Sequence, residues 1–460
     1  MLTSNDLAAR LRAVIDPDRV LTDPDTLDAY AHDDAEWAEY ARPAVVVRAE
    51  TTEDVARAVR IAGENGHPVV ARGAGTGLSG GANATADSIV ISLERMTRIL
   101  RIDVRERYAI AEAGVINDDL RRAVAAEGLW YPPDPASYRI STIGGNAATN
   151  AGGICCVKYG VTRDYVLGMT VVLADGSIVE LGRRTAKGAT GYDLTALMVG
   201  SEGTLGIITQ VTLSLHPLAG RQERAVIGSF PSLDSAGVAV AAITAAGIVP
   251  SALELIDDTC LRAVAAWQGI DLPTDAAALL LATVDEQGDS GDALAGAVAG
   301  HMQEAGALEI ERGVDAEEID RLFFARRMAY PALERLGPVL TEDVCVPRSA
   351  VPEMLGRIQD TAAAHRVVIA TIAHAGDGNL HPLIIAPDGD DGAKERAKAA
   401  FDRIVDDCRA LGGTVTGEHG VGLLKLSGAR AELGERVLGM HRSIKDALDP
   451  AGILNPGKGF

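Results

Sequence analysis

Two histidines, His374 and His381, stand on either side of the turn-like sequence AGDGN, and a Glu418–His419 pair follows in the stretch TGEHGVG, residues 416–422. Imidazole nitrogens and a carboxylate together suit a borderline divalent ion, and a histidine left outside such a set is a ready general base near neutral pH. The histidine spacing would put both rings on one face of a helix, but AGDGN between them forbids one. A hairpin is expected instead, with VVIATIAH as one strand and LHPLIIAP as the return, so that the two imidazoles converge at the turn end. Glu418 and His419 follow GGTVT and are expected at a strand end. Neighbouring side chains there point to opposite faces, so one of the pair can bind an ion while the other faces a substrate. On the residues alone, two hydrogen-bonding histidines beside a turn stand as the bland alternative.

Glycine supplies the second signal. ARGAGTGLSGGA, residues 71–82, directly follows a short β-branched run. Glycine admits positive φ and brings bare N–H groups together, a concavity suited to phosphate oxygens. The stretch lacks the GK[ST] of a P-loop and the following helix of a Rossmann fingerprint. PPDPASYRISTIGGNAATNAGG, 132–153, carries two Gly-Gly pairs among small residues and can lie flat against a planar ligand. In GYDLTALMVGSEGTLGIIT, 191–209, SEGTLG joins a helix to a β-branched strand. FFARRMAYPA, 323–332, sets two arginines on a predicted helix, and a guanidinium fork is the natural partner of a carboxylate.

The elements that must position these groups are legible in outline. After Pro43 come AVVVRAE, an amphipathic helix TTEDVARAVRIAGENG with Thr52 expected as N-cap and Glu53 and Asp54 in its first turn, and then HPVVARG. SIVISL, RYAIAEAG and MTVVLADGSIVEL read as further strands, the last with ADG as its turn, and DDLRRAVAAEGL reads as a helix. From residue 222 onward RAVIGSF, a helix near 233–246, SALELID and LLLATVDE alternate as in a second sheet with helices laid on it. DEQGDSGDALAGAVAG reads as a loop feeding a helix, and Pro450 stops the last helix. The expected class is α+β, divided as 1–221, 222–430 and a C-terminal segment 431–460.

Composition narrows the partners. Lys and Arg number 43 against 64 Asp and Glu, a formal net charge of -21, so nucleic acid is a poor partner. The five cysteines, at 155, 156, 260, 345 and 408, form no CxxC pair and no disulfide framework is expected. The first residues lack the apolar run of a signal peptide, and no stretch has the length of a spanning helix. A cytoplasmic protein is expected, with peripheral membrane contact left open.

ARGAGTGLSGG, DPASYRISTIGGNAATNAGG, YGVTRDYVLGMTVVLADG and GSEGTLGIIT resemble the FAD-binding domain of the vanillyl-alcohol-oxidase/para-cresol-methylhydroxylase superfamily. The C-terminal half is similar to that of FAD-linked D-2-hydroxy acid dehydrogenases, the D-lactate dehydrogenases and glycolate oxidase catalytic subunits above all. The resemblance implies a two-part FAD-binding domain, residues 1–221, and an α+β cap domain with an antiparallel sheet, residues 222–430. It implies that Arg72, Gly73, Ala74, Gly75, Thr76, Gly77, Ser79 and Gly80 wrap the pyrophosphate. Asp134, Pro135, Thr142, Gly144, Gly145, Asn146, Thr149, Asn150, Gly152 and Gly153 would line the rest of the dinucleotide and its ring. Glu202, Gly203 and Ile208 would meet the adenosine end, and Asn455 would close over the isoalloxazine. Relatives with covalent flavin place a histidine where this chain has Thr76, so FAD is expected to be noncovalent.

By the same resemblance His374, His381 and Glu418 would hold zinc, manganese or iron, His419 would be the base, and Arg326 would grip the substrate carboxylate. The ion would polarise the substrate hydroxyl and hydride would pass to the flavin, giving a 2-oxo acid. In D-2-hydroxyglutarate dehydrogenases a lysine falls at Thr341 and an asparagine at Leu383, departures that favour a small monocarboxylate such as D-lactate. EDVCVP, 342–347, is likewise similar to the D-lactate branch. D-2-hydroxyglutarate or glycolate are the neighbouring readings. A metal-dependent hydrolase using the same donors, and a flavoprotein subunit without turnover, are readings of another class. The electron acceptor (quinone, cytochrome or electron-transfer flavoprotein) is not selected by any motif, and a homodimer is left open.

Overall fold

The helix Thr52–Asn65 shows how this sequence makes its elements. The Thr51 hydroxyl, on extended backbone, accepts from the Asp54 N–H, and the Asp54 carboxylate accepts from the Thr51 N–H. This capping box corrects the expected N-cap: Thr52 is already helical, and its buried hydroxyl bonds Thr209 at 3.0 Å. Val55, Ala56, Ala58, Val59 and Ala62 form the buried face, and Gly66 ends the helix in the left-handed region at φ 69°.

The computed structural model describes residues 2–185, 187–218, 220, 222–313, 315–387, 390 and 392–460. They form two units: Met1–Gly152, Val161–Ala219 and Glu418–Phe460 in one, Gly153–Gly160 and Gly220–Gly417 in the other. The first has a four-stranded sheet in the order Val20–Leu21, Val45–Arg48, Ile89–Ser92, Val69–Arg72, its last three strands parallel. A five-stranded antiparallel sheet runs Ile99–Asp103, Tyr108–Glu112, Ile207–Ser214, Val166–Val172, Ile178–Gly182. The last two of these strands are the expected hairpin around ADG. One core packs Thr52–Asn65 on the first sheet; a second packs helices Asn117–Ala126 and Ile143–Thr149 on the second. The tail returns to this unit. Leu454 forms a parallel bridge to Val69, covering an otherwise open edge with hydrogen bonds at 2.7 and 2.8 Å.

The second unit has an eight-stranded sheet, whose path runs Glu309–Gly313, Arg224–Phe230, Ala278–Val284, Ala252–Asp257, Val368–His374, Asn379–Ile385, Val339–Thr341, with Val344–Cys345 also paired to Asn379–Ile385. Its named pairings are antiparallel. Helices Asp258–Gln268 and Phe324–Glu334 bury Leu261, Val264, Ala325 and Ala329 against Ile256, Ile372 and Leu383 on one face. The segment around Glu418 is not the expected strand. Thr414 makes an isolated bridge to Cys345, preceded by Gly412 at φ 77° and followed by Gly420 at φ 82° and Gly422 at φ 50°, which turn the chain. Among the described residues no disulfide joins two cysteines, and no helix is long and apolar enough to cross a membrane.

Candidate functional site

In the first unit the glycine stretches converge on one cavity, which with its mouth encloses about 1310 Å³ of space not filled by atoms. Its wall includes Arg72, Gly73, Ala74, Gly75, Thr76, Gly77 and Ser79, then Pro135, Thr142, Gly144, Gly145, Asn146, Thr149 and Gly152, then Glu202, Gly203 and Ile208, and finally Glu418 and His419. The glycines are there for closeness. A Cβ on Gly73 would strike the Thr142 hydroxyl, one on Gly144 would strike Ala113, and one on Gly152 would strike the Glu418 carboxylate. Thr142 caps the helix Ile143–Thr149 beside the glycine loop, and the first-turn N–H groups are already taken: Ile143 and Gly144 donate to the Val115 and Ala113 carbonyls, and Gly145 to the Thr142 hydroxyl. A wall of backbone donors on tight turns fits a dinucleotide with its pyrophosphate.

Several expected residues sit elsewhere. Gly80, Asp134, Asn150, Gly153 and Asn455 lie outside the lining of this cavity. Asn150 is the left-handed end of helix Ile143–Thr149 and accepts the Arg163 N–H at 2.9 Å. Asn455 ties the tail to the loops, donating to the Gly81 and Glu202 carbonyls at 2.9 and 2.6 Å. The Arg72 side chain folds over Gly75 and donates to the His32 carbonyl at 2.6 Å. Sequence reasoning missed Asp33, which lines the cavity and accepts the Ala35 and Ala82 N–H groups at 3.1 and 3.2 Å. Burial pushes its carboxyl up, with those N–H groups opposing. Nothing in AYAHDDAEWAEY marks it.

Glu202 also does something unforeseen. Its carboxylate accepts the Val421 and Gly422 N–H groups, both at 2.8 Å, so it holds the loop that carries His419. Burial raises its pKa against those two bonds and the Lys458 charge. Lys458, itself buried and pushed down to about 8 by burial, donates to Asn83 and Asn455. Ser79 donates to the Gly420 carbonyl at 2.9 Å, fixing the same loop from the other side. His419 lies 3.9 Å from the Glu418 carboxylate.

In the second unit the hairpin expectation holds: Val368–His374 pairs with Asn379–Ile385, His374 opposite Asn379 and Ile372 opposite His381. Alternation therefore puts Glu254, His374 and His381 on the sheet face covered by helices Asp258–Gln268 and Phe324–Glu334. The two imidazoles meet edge to face, centroids 5.1 Å apart. Glu254, entirely buried, accepts from His374 Nδ1 at 2.7 Å through one oxygen and from Arg326 Nε and Nη2, both at 2.8 Å, through the other. Burial alone would raise the Glu254 pKa, but the His374 and Arg326 charges and their hydrogen bonds outweigh it and hold it low. An ionised carboxylate only accepts, so Nδ1 carries a hydrogen, and in the neutral form of the ring it is His374 Nε2 that has the lone pair. That donor arrangement fits a divalent cation.

The helix also separates the two arginines: Arg326 turns inward to Glu254, and Arg327 pairs outward with Asp320 at 2.9 Å. Asp343, likewise missed, accepts from Thr416 Oγ1 and the Gly417 N–H at 2.7 and 3.0 Å and stands 3.7 Å from His381 Nδ1. The signal for both acids was available. Each is a carboxylate inside an apolar run, SALELID and LTEDVCV, where burial demands a partner. Thr341 and Leu383, the positions that depart from the 2-hydroxyglutarate pattern, are direct cross-strand partners.

Comparison with known proteins agrees in both halves. Residues 43–182 match the model of an FAD binding domain, and residues 220–459 that of the FAD linked oxidases, C-terminal domain. The chain is 41% identical to glycolate oxidase subunit GlcD of Bacillus subtilis over 91% of its length and 89% of that protein. It is 36% identical to a D-lactate dehydrogenase of Anaerostipes hadrus, covering 96% of this chain and 95% of that one. The solved structure of p-cresol methylhydroxylase with substrate bound superposes with a TM-score of 0.81 at 19% identity, over 99% of this chain and 96% of that one. The fold is thus that of the vanillyl-alcohol-oxidase/para-cresol-methylhydroxylase type.

Proposed function

The chain belongs to the FAD-linked oxidases, and from that premise we propose that it oxidises a small D-2-hydroxy acid, D-lactate foremost, to the 2-oxo acid. One observation carries this reading: His419 lines the same cavity as the glycine turns that suit a dinucleotide. Bound FAD supplies a two-electron acceptor, and a divalent cation supplies Lewis-acid polarisation of the substrate hydroxyl. The glycine turns hold the dinucleotide, without a covalent bond because Thr76 replaces the histidine that would form one. His374, His381 and Glu418 are the proposed ligands of zinc, manganese or iron.

His419 takes the hydroxyl proton through a ring nitrogen, its loop held by Glu202 and Ser79. Arg326 binds the substrate carboxylate with the N–H groups that Glu254 leaves over, since a guanidinium has five and Glu254 takes one on Nε and one on Nη2. The Thr341–Leu383 pair offers no cation for a second carboxylate, which favours D-lactate over D-2-hydroxyglutarate. Glycolate is the second reading, favoured by the similarity to a glycolate oxidase subunit. The electrons then leave for an acceptor other than NAD.

Anaerobic addition of D-lactate to the purified protein is expected to bleach the flavin absorbance, with pyruvate appearing. A dye-coupled panel of D-lactate, glycolate and D-2-hydroxyglutarate ranks the substrates. Failure of every hydroxy acid to bleach the flavin defeats the reading.

A further inference from the structure

We propose that Glu254 is a positioning residue that sets His374 and Arg326 at once, the first toward a metal ion and the second toward the substrate carboxylate; this rests on the metal-assisted reading above. Glu254 sits mid-strand in Ala252–Asp257, opposite Leu281 on one side and His374 on the other, so its backbone is fixed by pairing on both edges. Its carboxylate is entirely buried, a placement that is unfavourable unless each oxygen is matched. Both are: Oε1 takes His374 Nδ1 and Oε2 takes Arg326 Nε and Nη2.

The consequences differ for the two partners. Acceptance from Nδ1 fixes the tautomer and rotation of the His374 ring, leaving a neutral Nε2 as the donor atom. The bond to Arg326 cancels the charge of Glu254 and locks the guanidinium plane, so its remaining N–H groups have one direction instead of many. A glutamine in this place has one acceptor and one donor end. It can serve His374 or Arg326, and whichever it fails meets an N–H group head on.

Glu254→Gln tests this in the full-length, FAD-loaded protein. Flavin content is expected to stay as in the wild type. Zinc affinity, read by calorimetric titration, falls about 10–100-fold, and oxalate affinity, read from the flavin spectrum without turnover, falls about tenfold. Unchanged affinity for either zinc or oxalate overturns the assignment. Should Glu254→Gln fail to fold, the ¹⁵N spectrum of histidine-labelled wild type decides: His374, identified by loss of its signals in His374→Gln, is expected with Nδ1 protonated, and a ring with hydrogen on Nε2 and none on Nδ1 overturns it. A wild type that takes up no zinc sinks the metal reading itself, a result distinct from a variant that binds as the wild type does.

Discussion

In the unit of residues 1–152, 161–219 and 418–460 the candidate site is a wall of main-chain N–H groups on glycine turns. In the unit of residues 153–160 and 220–417 it is a set of charged side chains buried on one sheet face. The first kind of site depends on the absence of side chains: at Gly73, Gly144 and Gly152 even a methyl group would strike the opposing wall. The second depends on exact partnership, because Glu254 and Asp343 have no exposure and owe their place to the groups around them. A backbone site therefore tolerates loss of any one side chain and not the gain of one; a charged site behaves the opposite way.

The strongest test leaves both scaffolds intact and removes the base. His419→Ala is expected to keep full flavin content while turnover with D-lactate falls by roughly 10²–10⁴-fold; near-wild-type turnover in the dye-coupled assay removes His419 from the mechanism. Next in size is the contrast between neighbouring arginines. Arg326→Met strands the buried Glu254 carboxylate and is expected to cost about 3–5 kcal/mol in urea unfolding, whereas Arg327→Met, on the outer side of the same helix, changes stability by less than about 0.5 kcal/mol. Equal effects would dissolve the distinction between them.

Gains of a methyl group probe the backbone site. Gly144→Ala drives its Cβ into Ala113 and is expected to cost about 1–3 kcal/mol, with flavin lost on gel filtration. Gly300→Ala, in helix Gly288–Glu304 with nothing near its Cβ, is expected to stabilise by about 0.4–1 kcal/mol. The last effect is one of pH. Asp257, pushed up to about 6 by burial despite its bonds from the Cys260 and Thr371 N–H groups, binds a proton in the folded state that the unfolded chain has released. Its contribution to stability is full below about pH 4 and is lost as pH rises through about 6. Asp257→Asn should flatten that fall in the urea midpoint across the same window; an unaltered pH profile would assign the dependence to other groups.

Much of this was present in the amino-acid order. Apolar period and glycine placement located the helix Thr52–Asn65, the hairpin at AGDGN and the turns of the cavity, because those are local consequences of φ, of alternation and of capping. The one-residue error at Thr51 arose since two adjacent threonines are equal in sequence, and only the contact of Thr52 with Thr209 separates them. The strand expected before Glu418 failed for another reason: its glycines outweigh three β-branched residues once no neighbour supplies a full ladder.

By itself the sequence determined which residues have chemistry and which turns have room. What it left open, tertiary structure decided: that Glu254 serves His374 and Arg326 together across 120 and 72 positions of chain, that Arg326 and not Arg327 faces inward, and that Glu202 braces the His419 loop. The physical reason is that a buried charge is defined by its partner. Local propensity can announce a carboxylate in an apolar strand, but only the register of that strand against its neighbours names the group that neutralises it.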